Sequence, residues 1–308
     1  MTAGDEGLVV VTGEALVDLV LARDGSLRGH PGGGPYNVAR TIGRLDQPVV
    51  YLGRVSTDGF GSRLRSELEA DGVRMDAVVA TDAPTTLALA ELDDAGVAHY
   101  RFYAVGTSAP ALTLEEATAA LPPRIGTFYL GTLGLVFEPM ATTLEALVGR
   151  MDEATLVAID PNCRPTTIDD PATYRGRLAR VLERTDVIKA SEEDLAWLNP
   201  GAEPVAAARD LLVADHAVAL VTLGGDGALV VTAGDVLEVH APPVDVVDTI
   251  GAGDAFMGSF LARWQMRGLG RHDLELLGEV AEAARFACRV AAITCSRAGA
   301  DPPRLDAL

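Results

Sequence analysis

Short apolar runs alternate along the chain with stretches of helical period. The runs at 8–11, 49–53, 128–131, 156–160, 187–189 and 217–222 predict strands, and the segments 37–45, 61–71, 142–151, 172–184, 205–214, 255–264 and 274–290 predict helices. This alternation is the signature of an α/β protein with a central, mostly parallel sheet flanked by helices. Two segments break it: 16–28, with Asp24-Gly25 as a turn, and 86–103, which alternates around Asp93-Asp94-Ala95-Gly96. Both read as hairpins outside the main sheet. A small β-lid over one end of the domain accounts for them and would exclude water from a ligand beneath it, with decorative surface hairpins as the plainer alternative. No linker, low-complexity tract or repeat interrupts the pattern, so a single domain over 1–308 is expected.

Composition narrows the functional classes. With 48% hydrophobic and 22% charged residues the chain has the balance of an ordinary globular protein. Its net charge of −19 repels a nucleic acid or an anionic membrane surface, so neither is an expected partner. No export signal is visible and no apolar run approaches the roughly 20 residues that cross a bilayer, which points to the cytoplasm. Cys163, Cys288 and Cys295 are scattered and odd in number, as reduced core thiols are. Lys189 is the only lysine, and without glycines around it a Walker-type loop is excluded. The apolar neighbours Val187 and Ile188 make a strand end the plain reading of that lysine, ahead of Schiff-base chemistry.

Two glycine-rich stretches carry the chemistry. Asp248-Thr-Ile-Gly251-Ala252-Gly253-Asp254 opens a helical run, and its small residues leave backbone N–H groups accessible at a helix N-terminus, where anions are favoured. A carboxylate at Asp254 is unsuited to ligating a phosphate and suited to accepting a proton from a hydroxyl, although an Asp N-cap after a glycine turn explains the same residues. A dinucleotide fingerprint fails, because Phe256 stands where the third glycine belongs. The second stretch, Pro31-Gly32-Gly33-Gly34-Pro35-Tyr36-Asn37, allows close backbone approach and offers an amide to a polyhydroxylated ligand; a loop with Asn37 as N-cap is the alternative. Asp18, just past a buried strand and beside the lid, can accept hydrogen bonds from a diol.

Together with 53–61, Asp160-Pro-Asn162-Cys-Arg164, Lys189-Ala-Ser191-Glu-Glu-Asp194, 221–228 and Arg297-Ala-Gly299-Ala300, these motifs resemble the ribokinase/PfkB family of carbohydrate kinases in order and over nearly the whole chain, most closely its fructokinase-like members. The resemblance implies a ribokinase-like fold and transfer of the γ-phosphoryl group of ATP to a sugar hydroxyl. Asp254 matches the general base, and Gly251, Ala252 and Gly253 match the anion hole. Asp18, Gly33, Gly34 and Asn37 match sugar contacts, with Arg164 and Arg101 as donors to a substrate or phosphate anion. Ser191, Thr222, Gly224 and Gly227 match nucleotide contacts. Asp194 matches a carboxylate that organises Mg²⁺, while Asp248, Ile250, Arg297 and Gly299 match ligands of a monovalent cation, K⁺ in many members.

The departures bear on substrate. Ser191-x-x-Asp194 replaces the frequent Asn-x-x-Glu, and Ala104 follows Phe102-Tyr103 where an Arg is common, which disfavours an acidic sugar unless Arg101 substitutes. Fructose or another neutral sugar is the first expectation. Ketodeoxygluconate remains an alternative, as does a nucleoside that Tyr36 could stack upon. A rival from another class is a sugar- or nucleotide-sensing homologue without the reaction. A homodimer paired through the lid edges is also expected.

Overall fold

The computed structural model describes residues 7–21, 25–92, 98–214 and 216–308. Within them, thirteen strands fall into two sheets. The large sheet takes β1 (Val9–Thr12), β4 (Val49–Ser56), β5 (Val78–Thr81), β8 (Thr127–Gly131), β9 (Leu156–Asp160), β10 (Val187–Ser191), β11 (Val218–Thr222), β12 (Ala228–Val231) and β13 (Val236–Val239), in the order β13-β12-β11-β10-β9-β8-β1-β4-β5. Every neighbouring pair from β11 to β5 is parallel, and the β12–β13 hairpin adds two antiparallel strands at one edge. The small sheet takes β2 (Leu16–Leu21), β3 (Leu27–Gly32), β6 (Leu87–Leu92) and β7 (Ala98–Tyr103), in the order β3-β2-β6-β7.

The central strands are apolar runs because both of their faces are covered. Strand alternation sends Val9 and Val11 to one core and Leu8 and Val10 to the other. The first core is closed by α1 (Gly34–Arg44), α2 (Gly59–Ala70), α8 (Ala252–Met266) and α9 (Leu277–Cys295). The second is closed by α3 (Leu114–Ala120), α4 (Met140–Val148), α5 (Pro171–Leu182), α6 (Glu192–Leu198) and α7 (Pro204–Asp210). A third, small cluster of Leu16, Ala88 and Leu133, with Phe102 and Phe137 against it, fastens the small sheet to the main domain.

All six predicted strands and all seven predicted helices are present, with ends displaced by a few residues. The glycines of 251–253 belong to the turn and first residues of α8 rather than preceding it, and the last helix begins at Leu277 after a short 3₁₀ turn at Arg271–Glu275. The two hairpins pair as expected, Asp18 opposite His30 and Ala88 opposite Phe102; Asp24 and 93–97 lie outside the described residues. β2 also pairs with β6 in parallel, which joins the hairpins into one lid. Sequence reasoning passed over β5, the β12–β13 hairpin, α3 and α6. The two helices carry capping boxes, Thr113 with Glu116 and Ser191 with Asp194, and this spacing was the available signal.

One polar network fixes the C-terminal segment against α1 and α2. The Asp71 carboxylate, at the end of α2 and 3% exposed, takes ion pairs from Arg40 at 2.7 Å, Arg44 at 2.9 Å and Arg304 at 2.9 Å. Arg44 also pairs with Asp301 and donates to the Pro302 carbonyl, so the chain just before it is held beside the N-terminus of α8. Three guanidinium groups around one buried carboxylate lose their common partner together. Replacing Asp71 with Ala is therefore expected to destabilise the fold by about 3 kcal/mol, read as a lower urea midpoint at unchanged slope.

Candidate active site

A cavity of about 1080 Å³ opens at the C-terminal edge of the parallel strands and beneath the lid. Residues following the strands form its floor: Glu14 after β1, Thr132 after β8, Asn162 and Arg164 after β9, Lys189 and Ser191 on β10, and Thr222 at the end of β11. Leu16 and Asp18 of β2 and Phe102 of β7 cover it. The N-termini of α1 and α8 supply Gly33, Gly34, Asn37 and Gly251 to Asp254. Crevices at this edge of a parallel sheet are where ligands are held, because only there does the buried sheet give way to loops and helix N-termini.

Asp254 sits in the first turn of α8, and its Oδ2 accepts a hydrogen bond from Asn37 Nδ2 at 2.8 Å, across 217 residues of sequence. Burial pushes the carboxyl up from its ordinary value, while Asn37, Lys189 and Arg164 pull it back. Gly251 is the N-cap in a left-handed conformation, φ 76°, and a side chain there would strike Ala300. A glycine is needed for both reasons, and the result is a bare helix N-terminus facing the cavity.

Two further carboxyls stand beside Asp254. Asp18 is pushed up to about 6 by burial and by Asp254, with Arg164 opposing. Glu14, 1% exposed, accepts a hydrogen bond from Gly34 N–H at 3.1 Å through Oε1, and its Oε2 is buried without a partner. Burial raises it to about 8, and the hydrogen bonds from its own and the Gly34 N–H lower it only in part. Behind them Lys189 Nζ pairs with Asp160 Oδ2 at 2.9 Å, and Asp160 Oδ1 accepts from Asn162 N–H at 3.1 Å. Asn162 has a positive φ of 37°, donates to Thr132 Oγ1 and receives Arg164 Nη1 on its side-chain oxygen at 2.6 Å.

The cavity is also lined by Thr222, Gly224, Gly225 and Gly227 at and after the end of β11, by an apolar stretch that takes in Ala241 to Val244, Val246, Ile250, Cys288, Ala291, Ala292 and Cys295, and by Ser191, Glu192 and Glu193.

Most of the expected site residues line this cavity, with three departures. Arg101 does not reach the cavity: it is exposed on β7, and the strand alternation that brings Phe102 into the wall sends Arg101 to the other face. Asp194 does not line the cavity either. Its carboxylate is consumed as a cap, accepting from Ser191 N–H at 2.9 Å, Ser191 Oγ at 2.7 Å and Cys163 N–H at 2.6 Å. Tyr36 cannot stack on a ligand, since it is fully buried with its hydroxyl donating to Glu67. Asp248 and Gly299 meet: Asp248 accepts from Gly299 N–H at 2.8 Å and from Ile250 N–H at 3.0 Å, stapling two loops beside the N-terminus of α8, and the Arg297 side chain turns to Asp301, which leaves the expectation for its backbone carbonyl untouched. Sequence reasoning missed Glu14, Phe102, Thr132, Asn162 and Lys189 as wall residues. A lysine inside the apolar run Val-Ile-Lys-Ala was the clearest unread signal, because an ammonium is not buried in a strand without a partner.

A parallel sheet opening on a bare helix N-terminus, with a carboxylate beside it and a small β-sheet above, is the arrangement of the ribokinase-like fold, and the matches to known proteins make the class a phosphotransferase with an alcohol group as acceptor. The chain matches the pfkB family of carbohydrate kinases over residues 6–307 and belongs to it. A fructokinase from Rhizobium leguminosarum bv. trifolii is 33% identical over 271 residues, covering 85% of this chain and 81% of that protein. The aminoimidazole riboside kinase of Salmonella enterica, solved with its riboside and an ATP analog, superposes with a TM-score of 0.82 at 27% identity over 95% of each chain. A double mutant of fructokinase from Vibrio cholerae O395, solved with fructose, ADP and a potassium ion, superposes with a TM-score of 0.83 at 26% identity, covering 97% of this chain and 95% of that one. The protein is thus a fructokinase-like, ATP-dependent sugar kinase. Among the described residues no helix is long and apolar enough to cross a membrane.

The raised Glu14 carboxyl gives a measurable sign. Folding favours its protonated form, so its contribution to stability is complete below the ordinary value of 4.5 and is lost as pH rises through about 8. Glu14→Gln keeps an acceptor for Gly34 N–H and cannot ionise. Its melting temperature relative to wild type is expected to climb between pH 5 and about pH 8, by the equivalent of about a few kcal/mol, and to level off above that, whereas a constant offset contradicts the burial argument.

Proposed function

We propose that the enzyme phosphorylates a neutral ketohexose, fructose first, with Asp254 as the base that takes the acceptor proton. The observation that carries this reading is the Asp254 carboxylate held at 2.8 Å by Asn37, one turn into a helix whose bare N-terminus faces the same cavity. A hydroxyl placed between Asp254 and Gly251 to Gly253 can lose its proton to the carboxylate while its oxygen attacks a γ-phosphorus. The bond to the bridging oxygen breaks, its electron pair leaves with ADP, and the N–H groups of the helix terminus offset the charge on the group in transit. Asp18, Gly33, Gly34 and Asn37 hold the sugar hydroxyls, and Phe102 with Leu16 closes the lid side against water.

Thr222, Gly224 and Gly227 lie where the nucleotide phosphates and ribose rest, with Ser191 beside them; the apolar wall from Ala241 to Cys295 suits adenine. Mg²⁺ arrives with the nucleotide and keeps most of its waters, so it needs few protein ligands. With Asp194 spent as a cap, Glu192 and Glu193 are the cavity carboxylates that would hold its waters, and among the described residues no cluster of three metal-ligating side chains exists. When bound, the ion supplies charge neutralisation on the phosphates. The Asp248–Gly299 staple fits a monovalent cation held by Asp248, Ile250, Arg297 and Gly299 through a carboxylate and backbone carbonyls, beside the anion hole it would order.

A neutral acceptor is favoured by charge. Glu14, Asp18 and Asp254 line the cavity with Arg164 and Lys189 as its cations, while Arg101 faces solvent. An acidic sugar would add a fourth carboxylate to that group. The riboside handled by the Salmonella relative keeps a nucleoside as the second reading, now without Tyr36 as a stacking partner. The edges β3 and β7 end the small sheet, and a homodimer paired there belongs to the same reading. The test is ADP release from Mg·ATP against fructose, ribose, ketodeoxygluconate and nucleosides. Fructose is expected to give the highest kcat/KM, and Asp254→Asn to lower kcat by about 10³-fold with ADP affinity retained; near-normal turnover by that variant refutes the base assignment.

A further inference from the structure

We infer that Lys189, the only lysine of the chain, is a catalytic residue of this kinase, its ammonium group contacting the phosphoryl group as it passes from ATP to the acceptor. The inference rests on the kinase reading above and adds to it the cation that the anion hole needs.

Three observations converge. Lys189 lies on β10 with its side chain 5% exposed, yet it lines the cavity. Its Nζ is so close to the first turn of α8 that a Cβ added to Gly253 would lie 2.9 Å from it, so Gly253 is open on that side because the ammonium occupies the space. An ammonium has three donors, and among the described residues Asp160 Oδ2 is the only hydrogen-bond acceptor it reaches. Two N–H groups of a buried cation are left at the wall of the cavity, beside the N–H groups of the helix terminus.

Charge in the cavity makes the same case. Glu14, Asp18, Glu192, Glu193 and Asp254 line it, against Arg164 and Lys189 alone. A nucleotide triphosphate entering this acidic lining needs cations where its charge moves. Arg164 is exposed and its Nη1 is tied to Asn162, which leaves it at the rim. Lys189 stays charged in place: burial works against its ammonium, but Asp160, Asp194 and Asp254 outweigh that and hold it above its ordinary range. Asp160 is a positioning residue in this arrangement, fixing Nζ through Oδ2 and the Asn162 loop through Oδ1.

In the step itself Lys189 neither gives nor takes a proton. The acceptor oxygen bonds to the γ-phosphorus, its proton passes to Asp254, and the electron pair of the broken bond leaves on ADP. The ammonium donates hydrogen bonds to the equatorial phosphoryl oxygens throughout, more strongly as charge spreads over them.

The rival is that Lys189 only neutralises Asp160 and keeps the fold intact. Two variants separate these, Lys189→Met and the double variant Lys189→Met/Asp160→Asn, which removes the buried pair as a whole and folds even where the single variant does not. Both are measured for melting temperature, for kcat and KM with fructose and Mg·ATP, and by calorimetry for the affinity of Mg·ADP with and without aluminium fluoride, a mimic of the phosphoryl group in transit. The expected result is a double variant that melts near wild type with kcat down about 10²–10³-fold and KM for fructose within about threefold. Its affinity for the fluoride complex is expected to fall about 100-fold while that for Mg·ADP alone changes less than about threefold. Recovery of turnover to within about threefold of wild type in the double variant, or an unchanged fluoride-complex affinity, overturns the inference. The calorimetry needs no acceptor, so failure of wild type to phosphorylate fructose refutes the substrate assignment and leaves the lysine under test; a wild type that binds no nucleotide overturns both.

Discussion

Everything polar in this molecule is constrained by a sheet that is buried on both faces. From β11 to β4 the strands run through the domain with almost no accessible side chain, so charged chemistry can be placed only where the strands stop. Five strand ends deliver Glu14, Thr132, Asn162, Lys189 and Thr222 to one edge, and the helix N-termini that return the chain from that edge point their free N–H groups at it. The site follows from the architecture: parallel strands bring side chains and helix dipoles to the same end, while the loops at the opposite end face the C-termini of helices.

Concentrating carboxyls there has a cost that the structure meets in two ways. Where an acid must remain available as a base, as at Asp254, a single neutral donor, Asn37, holds it and leaves one oxygen for a ligand. Where an acid serves geometry, it is saturated: Asp194 accepts three hydrogen bonds and Asp71 gathers three arginines. Saturation thus separates carboxyls that act from those that hold, and it places Asp194 among the latter even though its motif position suggested a metal. Glu14 falls between the classes, half satisfied by Gly34 and half unpaired. Burial pushes its carboxyl up towards the neutral form, which eases the crowding of negative charge beside Asp18 and Asp254.

Much of this was legible in the sequence, and the boundary has physical reasons. Apolar runs and helical periods reveal strands buried on both faces and amphipathic helices, so the large sheet and its main helices could be read directly. The lid was visible because its hairpins alternate with period two. Glycine clusters marked both helix N-termini, since close backbone approach restricts residue type. What could not be read depends on which way a side chain turns once the chain is folded. Arg101 and Phe102 are adjacent, and only the pairing of β7 with β6 decides which of them faces the ligand. Tyr36 sits beside two cavity residues but enters the core, because α1 rotates it about 100° away from Asn37. Thr132 and Asn162 hold positive φ angles that their residue types do not announce.

The lysine shows how composition can carry information that motif matching discards. A chain with 25 basic residues that uses arginine everywhere but once has placed its one lysine inside a strand, next to a buried aspartate. A compact ammonium on a flexible stem pairs with Asp160 and fits the narrow space beside Gly253, where a guanidinium is larger and holds its donors in a fixed fork. Nor would a neutral residue serve, because Asp160 would then stand uncompensated beneath the carboxyls of the sugar end. The pair delivers a fixed positive charge to a region that is otherwise acidic, without opening the floor of the cavity to water. That combination, a cation held rigidly by a partner that is itself out of reach of the ligand, is what stabilising a moving negative charge requires.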